Sequence, residues 1–103
     1  MDRIASLINF LKDNPEDNFL QHALALEYIK IGNEKEARLL FETILIRDAG
    51  YTGSYYHLAK LLERVGDTDE AIRIYEQGMA HAKLAGDTHS FNELLAAFED
   101  LTF

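Results

Sequence analysis

No cysteine occurs among the 103 residues, which excludes disulfides, thiolate metal sites and cysteine nucleophiles at once. Proline occurs once, at Pro15, so the rest of the chain is free to be helical. Bases are scarce: ten lysines and arginines face eighteen acids, for a net charge of −8. Such a chain repels a phosphate backbone at long range, and nucleic-acid binding is not expected of it. No stretch approaches the roughly 18 apolar residues that a membrane span takes. The opening MDRIASLINFLKDNPED sets acids around a short amphipathic run, without the positive start and unbroken apolar core of a secretory signal. A soluble cytoplasmic protein is the expectation.

Also missing are runs of alternating β-branched residues, so strands are not expected. A phosphate-cradling glycine loop, a nucleophile elbow and a dinucleotide fingerprint are all absent. The four histidines, His22, His57, His81 and His89, show no H-E-x-x-H or other ligand spacing. The stretch DTDE at Asp67 lacks the glycine and the distant glutamate of a calcium loop, and reads as acids placed on a helix N-terminus. No enzyme, metal or cofactor is expected. A histidine-dependent metal site or enzyme stays open only as a remote alternative.

What is present is the composition of an ordinary globular domain, with 48% hydrophobic and 27% charged residues. Its length suits one domain with a modest core. Six segments carry apolar residues at helical spacing. The first runs over about Asp2 to Lys12, with Ile4, Leu7, Ile8 and Leu11 inward, and stops where Asn14 meets Pro15. The second runs from an asparagine cap at Asn18 to Ile31 and ends at Gly32. The third spans about Glu34 to Arg47, with Ala37, Leu40, Phe41 and Ile44 inward. The fourth spans about Ser54 to Val65, with Tyr55, Leu58, Ala59 and Leu62 inward, and ends at Gly66. The fifth opens with Asp67 or Thr68 as cap and runs to about Ala85. The sixth follows GDTHS and buries Phe91, Leu94, Leu95 and Phe98.

The strongest signal is an echo at 34 residues. Asn18 to Tyr51 overlays Thr52 to Ala85 without a gap, placing Gln21, Leu24, Ala25 and Tyr28 over Tyr55, Leu58, Ala59 and Leu62. Ala37, Phe41 and Ile44 fall over Ala71, Tyr75 and Gly78, and Gly32 over Gly66. The small alanines let paired helices approach closely, and the glycines accept the left-handed backbone that reverses the chain. A hairpin of this kind leaves one apolar face open, so neighbours must stack.

This pattern of a large residue, leucine and a small residue, a ring, then A-x-x-x-F resembles the tetratricopeptide repeat family. Pro15 stands at the position that closes a preceding repeat, while Ala49 and Lys83 stand where both full repeats lack that proline. The resemblance implies a single domain over residues 1–103, built as an all-α, right-handed α-solenoid of about six antiparallel helices. Its parts are an N-terminal half repeat (1–17), repeats at 18–51 and 52–85, and a C-terminal capping helix (86–103).

The resemblance further implies a non-enzymatic protein-interaction module whose first helices line a concave groove. It places Phe19, His22, Leu26, Ile29 and Lys30 there from the first repeat, and Tyr56, His57, Lys60, Glu63 and Arg64 from the second. Phe19, Leu26 and Ile29 are apolar yet lie off the Leu24–Tyr28 packing face. They line a contact surface or else pack on the first helix or a cap. Lys30, Lys60 and Arg64 are solvated surface charges or a cationic strip suited to an acidic peptide. His22 and His57 would make binding respond to pH near neutrality. A branch of the family that grips a terminal carboxylate uses lysines and asparagines where this chain has His22, Leu26 and His57, so that specificity does not carry over. The rival reading is a self-associating subunit, a homodimer without a separate ligand.

Overall fold

The computed structural model of the chain describes residues 2–103. They form six helices, α1 Arg3–Asp13, α2 Asn18–Lys30, α3 Glu34–Arg47, α4 Gly53–Arg64, α5 Thr68–Ala85 and α6 Thr88–Thr102, with no strand among the described residues. The helices fall into two units, one ending at Arg47 and the other spanning Asp48–Phe103.

Side-chain chemistry sets the helix starts, and in two places it corrects the sequence reading. α2 is capped by Asp17, whose carboxylate accepts the Leu20 N–H at 3.0 Å, and not by Asn18. The Asn18 side-chain oxygen accepts instead from the Arg47 guanidinium. α4 begins at Gly53, one residue before the expected Ser54, and has no side-chain cap. The Thr52 hydroxyl that would supply one donates to Asp87 at 3.0 Å. Asp87 in turn caps α6 by accepting the Ser90 N–H at 3.1 Å, which draws Thr88, His89 and Ser90 into the first turn. The hydrogen bonds from Ser90 and from Thr52 hold the Asp87 carboxyl below its ordinary range.

The helix ends repeat one device. Gly32, Gly66 and Gly86 have φ of 79°, 85° and 69°, the left-handed backbone that glycine adopts without a Cβ penalty. The N–H after each glycine returns to a carbonyl five residues back: Asn33 to Tyr28 at 2.8 Å, Asp67 to Leu62 and Asp87 to Ala82 at 2.9 Å.

In the first unit α2 packs against both α1 and α3. Leu7, Ala23 and Leu24 form a core flanked by Ile4, Leu11, Leu20, Tyr28 and Leu40, while Ala25, Ala37, Phe41 and Ile44 expose no surface. Ile8, expected inward, is 41% exposed. It lies about 100° around the helix from Leu7, at the edge of the stripe that Ile4, Leu7 and Leu11 make. In the second unit α5 packs against both α4 and α6. Leu58, Ala59, Leu62, Ala71, Tyr75 and Leu94 are buried there, and each large one contributes roughly 1.5–3 kcal/mol. On α6, Phe91, Leu95 and Phe98 are only partly buried, where all four apolar residues were expected inside.

Candidate functional site

The side chains expected to line a groove sit on α2 and α4, and each helix carries its own set. On α2, Phe19 is in the first turn and 69% exposed. An aromatic ring so placed on a helix whose opposite side is packed leaves apolar area in water. Leu26 and Ile29 are partly buried. His22 packs edge-on against Phe41, with ring centroids 5.5 Å apart. It is thus anchored to the interior of its own unit. Lys30 donates to Glu27 at 2.8 Å, and Glu27 also lies 3.6 Å from Arg3. One carboxylate therefore serves two cations.

On α4 the expected residues are brought into contact with one another. Tyr56 and His57 meet edge to face, 5.4 Å apart. The Lys60 ammonium stands 5.9 Å above the Tyr56 ring and 3.6 Å from the Glu63 carboxylate. Glu63 also accepts from the Tyr75 hydroxyl on α5. Burial first, and then this contact with Glu63, hold the Tyr75 phenol far above its ordinary range, so it stays a donor at any physiological pH. The result is a fixed chain, Tyr56–Lys60–Glu63–Tyr75, that presents one aromatic face and one cation on a half-buried helix surface.

His57 is partly buried in the same unit. Burial pushes its imidazole below the ordinary value; Glu93 on α6 opposes that shift and Arg64 adds to it. Its neutral form is the one the fold favours near pH 7. Arg64 is exposed at the end of α4.

Two features of this surface were not read from the sequence. The first is that Lys30 and Lys60 are each held by a glutamate on their own helix, at i,i−3 and i,i+3. The spacing was present, but the reading of a cationic strip did not use it. The second is Tyr75, which falls at the place of Phe41 in the 34-residue echo and whose hydroxyl reaches Glu63. No group of three metal-ligating side chains stands together among the described residues. No helix among them is long and apolar enough to cross a membrane.

A family model described as the tetratricopeptide repeat matches residues 52–80. The chain is similar to a tetratricopeptide repeat domain protein from Salinibacter ruber, solved both by crystallography and by solution NMR. The crystal structure aligns with 84% of this chain and 96% of its own at 41% identity, with a TM-score of 0.80. The NMR structure aligns with 84% and 88% at 42% identity, with a TM-score of 0.81. The solution structure of a protein from Bordetella parapertussis covers 99% of this chain and 89% of its own, with a TM-score of 0.85. At 24% identity, that last likeness is one of fold alone. No curated protein matches the chain.

Proposed function

This chain belongs to the tetratricopeptide repeat family, and from that premise we propose that it is a non-enzymatic cytoplasmic interaction module, a scaffold or adaptor, that holds a peptide or a partner segment against α2 and α4. Tetratricopeptide repeats are protein-interaction modules with an all-α fold. The observation that carries the finer reading is the ring of Phe19, 69% exposed on a first helix, with a second, partly exposed ring on α4 at Tyr56, which has Lys60 above it. Burying such rings against a partner contributes roughly 25 cal/mol per Å² before association costs are subtracted.

The charges act differently from the rings. An acidic segment is the ligand that Lys30, Lys60 and Arg64 suit, but Lys30 and Lys60 already hold glutamates. A ligand carboxylate exchanges one pair for another there, so it sets orientation and gives little affinity. Leu26, Ile29 and His22 complete the set on α2 and His57 the set on α4, where Glu63 holds Lys60 in place.

The test compares the wild-type chain with Phe19→Ala plus Tyr56→Ala and with Lys60→Glu plus Arg64→Glu, each checked for helical circular dichroism. Proteins captured by the wild type are expected to be lost about tenfold with the first pair, from burial of two rings, and less with the second. Equal capture by a folded Phe19→Ala, Tyr56→Ala variant rules this surface out.

A second reading, assembly with copies of itself, is favoured by the apolar side chains left open on α1 and α6. Phe10 is 58% exposed, and Phe91, Leu95 and Phe98 are half-buried.

A further inference from the structure

At the 34-residue offset, Lys60, Glu63 and Tyr75 stand where the first repeat has Leu26, Ile29 and Phe41. All three apolar places turn polar in the second repeat, and the side chains there are joined. Tyr75 exposes no surface, yet its hydroxyl reaches Glu63 and donates to the Oε2 of that carboxylate. Lys60 approaches the same Oε2, but only to 3.6 Å. A hydrogen bond from an ammonium to a carboxylate closes at about 2.7–2.9 Å, so this pair is left open. Lys30 gives the contrast. Its ammonium donates to Glu27 at 2.8 Å, and that carboxylate meets a second cation, Arg3, in place of a hydroxyl. Lys30 would exchange one completed pair for another on meeting a ligand carboxylate, whereas Lys60 has a pair still to complete.

Exposure separates the two lysines in the same sense. The side chain of Lys30 is 70% open to water and that of Lys60 34%, with the Lys60 ammonium over the Tyr56 ring. A charge so sheltered is screened less by water, and an anion meets a stronger field there. The field is also narrow. α4 carries Lys60, Arg64 and Glu63, while α6 adds Glu93, Glu99 and Asp100 without a lysine or arginine, so acids outnumber bases four to two. After burial and Glu63, Asp100 adds to the upward push on the Tyr75 phenol, and Glu93 opposes the burial-driven fall at His57. Both acids therefore border this face. A run of acids is repelled there, and a single carboxylate beside Lys60 is not.

We propose that Lys60 is the seat for one carboxylate of the bound segment, and that Tyr75 is the positioning residue that keeps the seat open. This rests on the proposed surface of α2 and α4, and it names what meets α4: an aspartate or glutamate side chain next to an aromatic one, which the Tyr56 ring receives. By holding Oε2 of Glu63, the Tyr75 hydroxyl keeps the ammonium from closing onto its own helix. Lys60 then turns its donors to the incoming carboxylate. Without the hydroxyl, Glu63 and Lys60 close together as Glu27 and Lys30 do.

Titration of the full chain with two capped dipeptides, acetyl-Phe-Glu-amide and acetyl-Phe-Gln-amide, followed by NMR, tests the seat. The glutamate peptide is expected to shift the Lys60 and Tyr56 signals saturably and to bind about fivefold more tightly than the glutamine peptide. Lys60→Met removes that preference, and Lys30→Met keeps it. Tyr75→Phe, which preserves the ring in the core, is expected to weaken the glutamate peptide about threefold at unchanged circular dichroism. Adding Glu63→Gln restores binding, because a neutral amide no longer captures the ammonium; a packing fault at Tyr75 is not cured in that way. Where Tyr75→Phe loses helical signal, Glu63→Gln alone carries the test and is expected to bind the glutamate peptide at least as tightly as the wild type, while weaker binding overturns the positioning role. Equal binding of the two peptides by the wild type, or none, overturns the seat. Undiminished binding of the glutamate peptide by a folded Tyr75→Phe chain overturns the positioning role alone. The capture experiment with Phe19→Ala and Tyr56→Ala tests the surface itself and stands whichever result is found here.

Discussion

The α2–α3 hairpin, here the first repeat, and the α4–α5 hairpin, the second, share a frame and differ in the chemistry that closes it. In the first, Gln21 is 8% exposed and works through hydrogen bonds. Its amide donates to the Pro15 carbonyl at 2.8 Å, its oxygen accepts from Arg47 at 2.8 Å, and Arg47 also binds Asn18. In the second, Tyr55 takes the same place. Its hydroxyl donates to the Ala49 carbonyl at 2.7 Å, again six residues back, and the ring is covered by stacked His81 instead of a guanidinium. The space is rebalanced as well. The first repeat pairs medium-sized Gln21 with fully buried Ile44, and the second pairs large Tyr55 with Gly78, beside which no Cβ fits. What recurs is a volume and a carbonyl contact, not a residue type. A repeat is therefore specified by sums over facing positions.

The comparison breaks most sharply at Gly78. Gly78→Ile, which imports the residue of the first repeat, forces a side chain against Tyr55 Cβ, the root of its ring and Leu94 and is expected to cost about 3 kcal/mol. Adding Tyr55→Gln should recover part of that loss in urea unfolding. A Gly78→Ile protein of unchanged midpoint would show that the two positions do not share a volume. The reciprocal graft sharpens the point. Gln21→Tyr alone should destabilise by about 2 kcal/mol, whereas Gln21→Tyr, Ile44→Gly and Arg47→His together should fall within about 1 kcal/mol of the wild type.

A smaller effect separates the two clamps. Arg47→Ala leaves buried Gln21 short of a donor and should cost about 1–2 kcal/mol. Tyr55→Phe, which frees only the Ala49 carbonyl, should cost about 1 kcal/mol. The second repeat should also show a pH dependence. His57 has its folded-state value below the unfolded 6.5, so the unfolded chain binds more protons in that window. Stability should be complete above pH 6.5, fall as the pH drops from 6.5 toward the folded value, and level off below it. His57→Gln should flatten that slope in thermal melts taken across pH 5–7. The smallest effect belongs to the exposed pair of Glu70 and Arg73, whose removal by Arg73→Ala should cost under about 0.5 kcal/mol.

The frame was legible because it rests on residue types that sterics dictate. Gly32 and Gly66 announced left-handed turns, and Ala25, Ala37, Ala59 and Ala71 announced close helix contacts; all four alanines expose no surface. The helix caps were half legible. A carboxylate one residue earlier outcompeted Asn18, and Thr52 was drawn away by Asp87, a residue 35 positions on. No local pattern encodes such a diversion. On the candidate site, Phe19 was visible as an apolar residue off the packing face. The pairing of Lys30 and Lys60 with glutamates was not, because an i,i+3 spacing permits an ion pair and only rotamers decide it. The double role of Tyr75 was hidden for a related reason. A phenol at a core position reads as bulk until a carboxylate is found within reach of its hydroxyl.

Every strong packing contact within the units joins a helix to the next one along the chain. Loops of only a few residues close each of these contacts, so little chain entropy stands between the unfolded coil and the first native hairpin. Collapse should accordingly be fast, on the order of microseconds to milliseconds, with either hairpin able to start it.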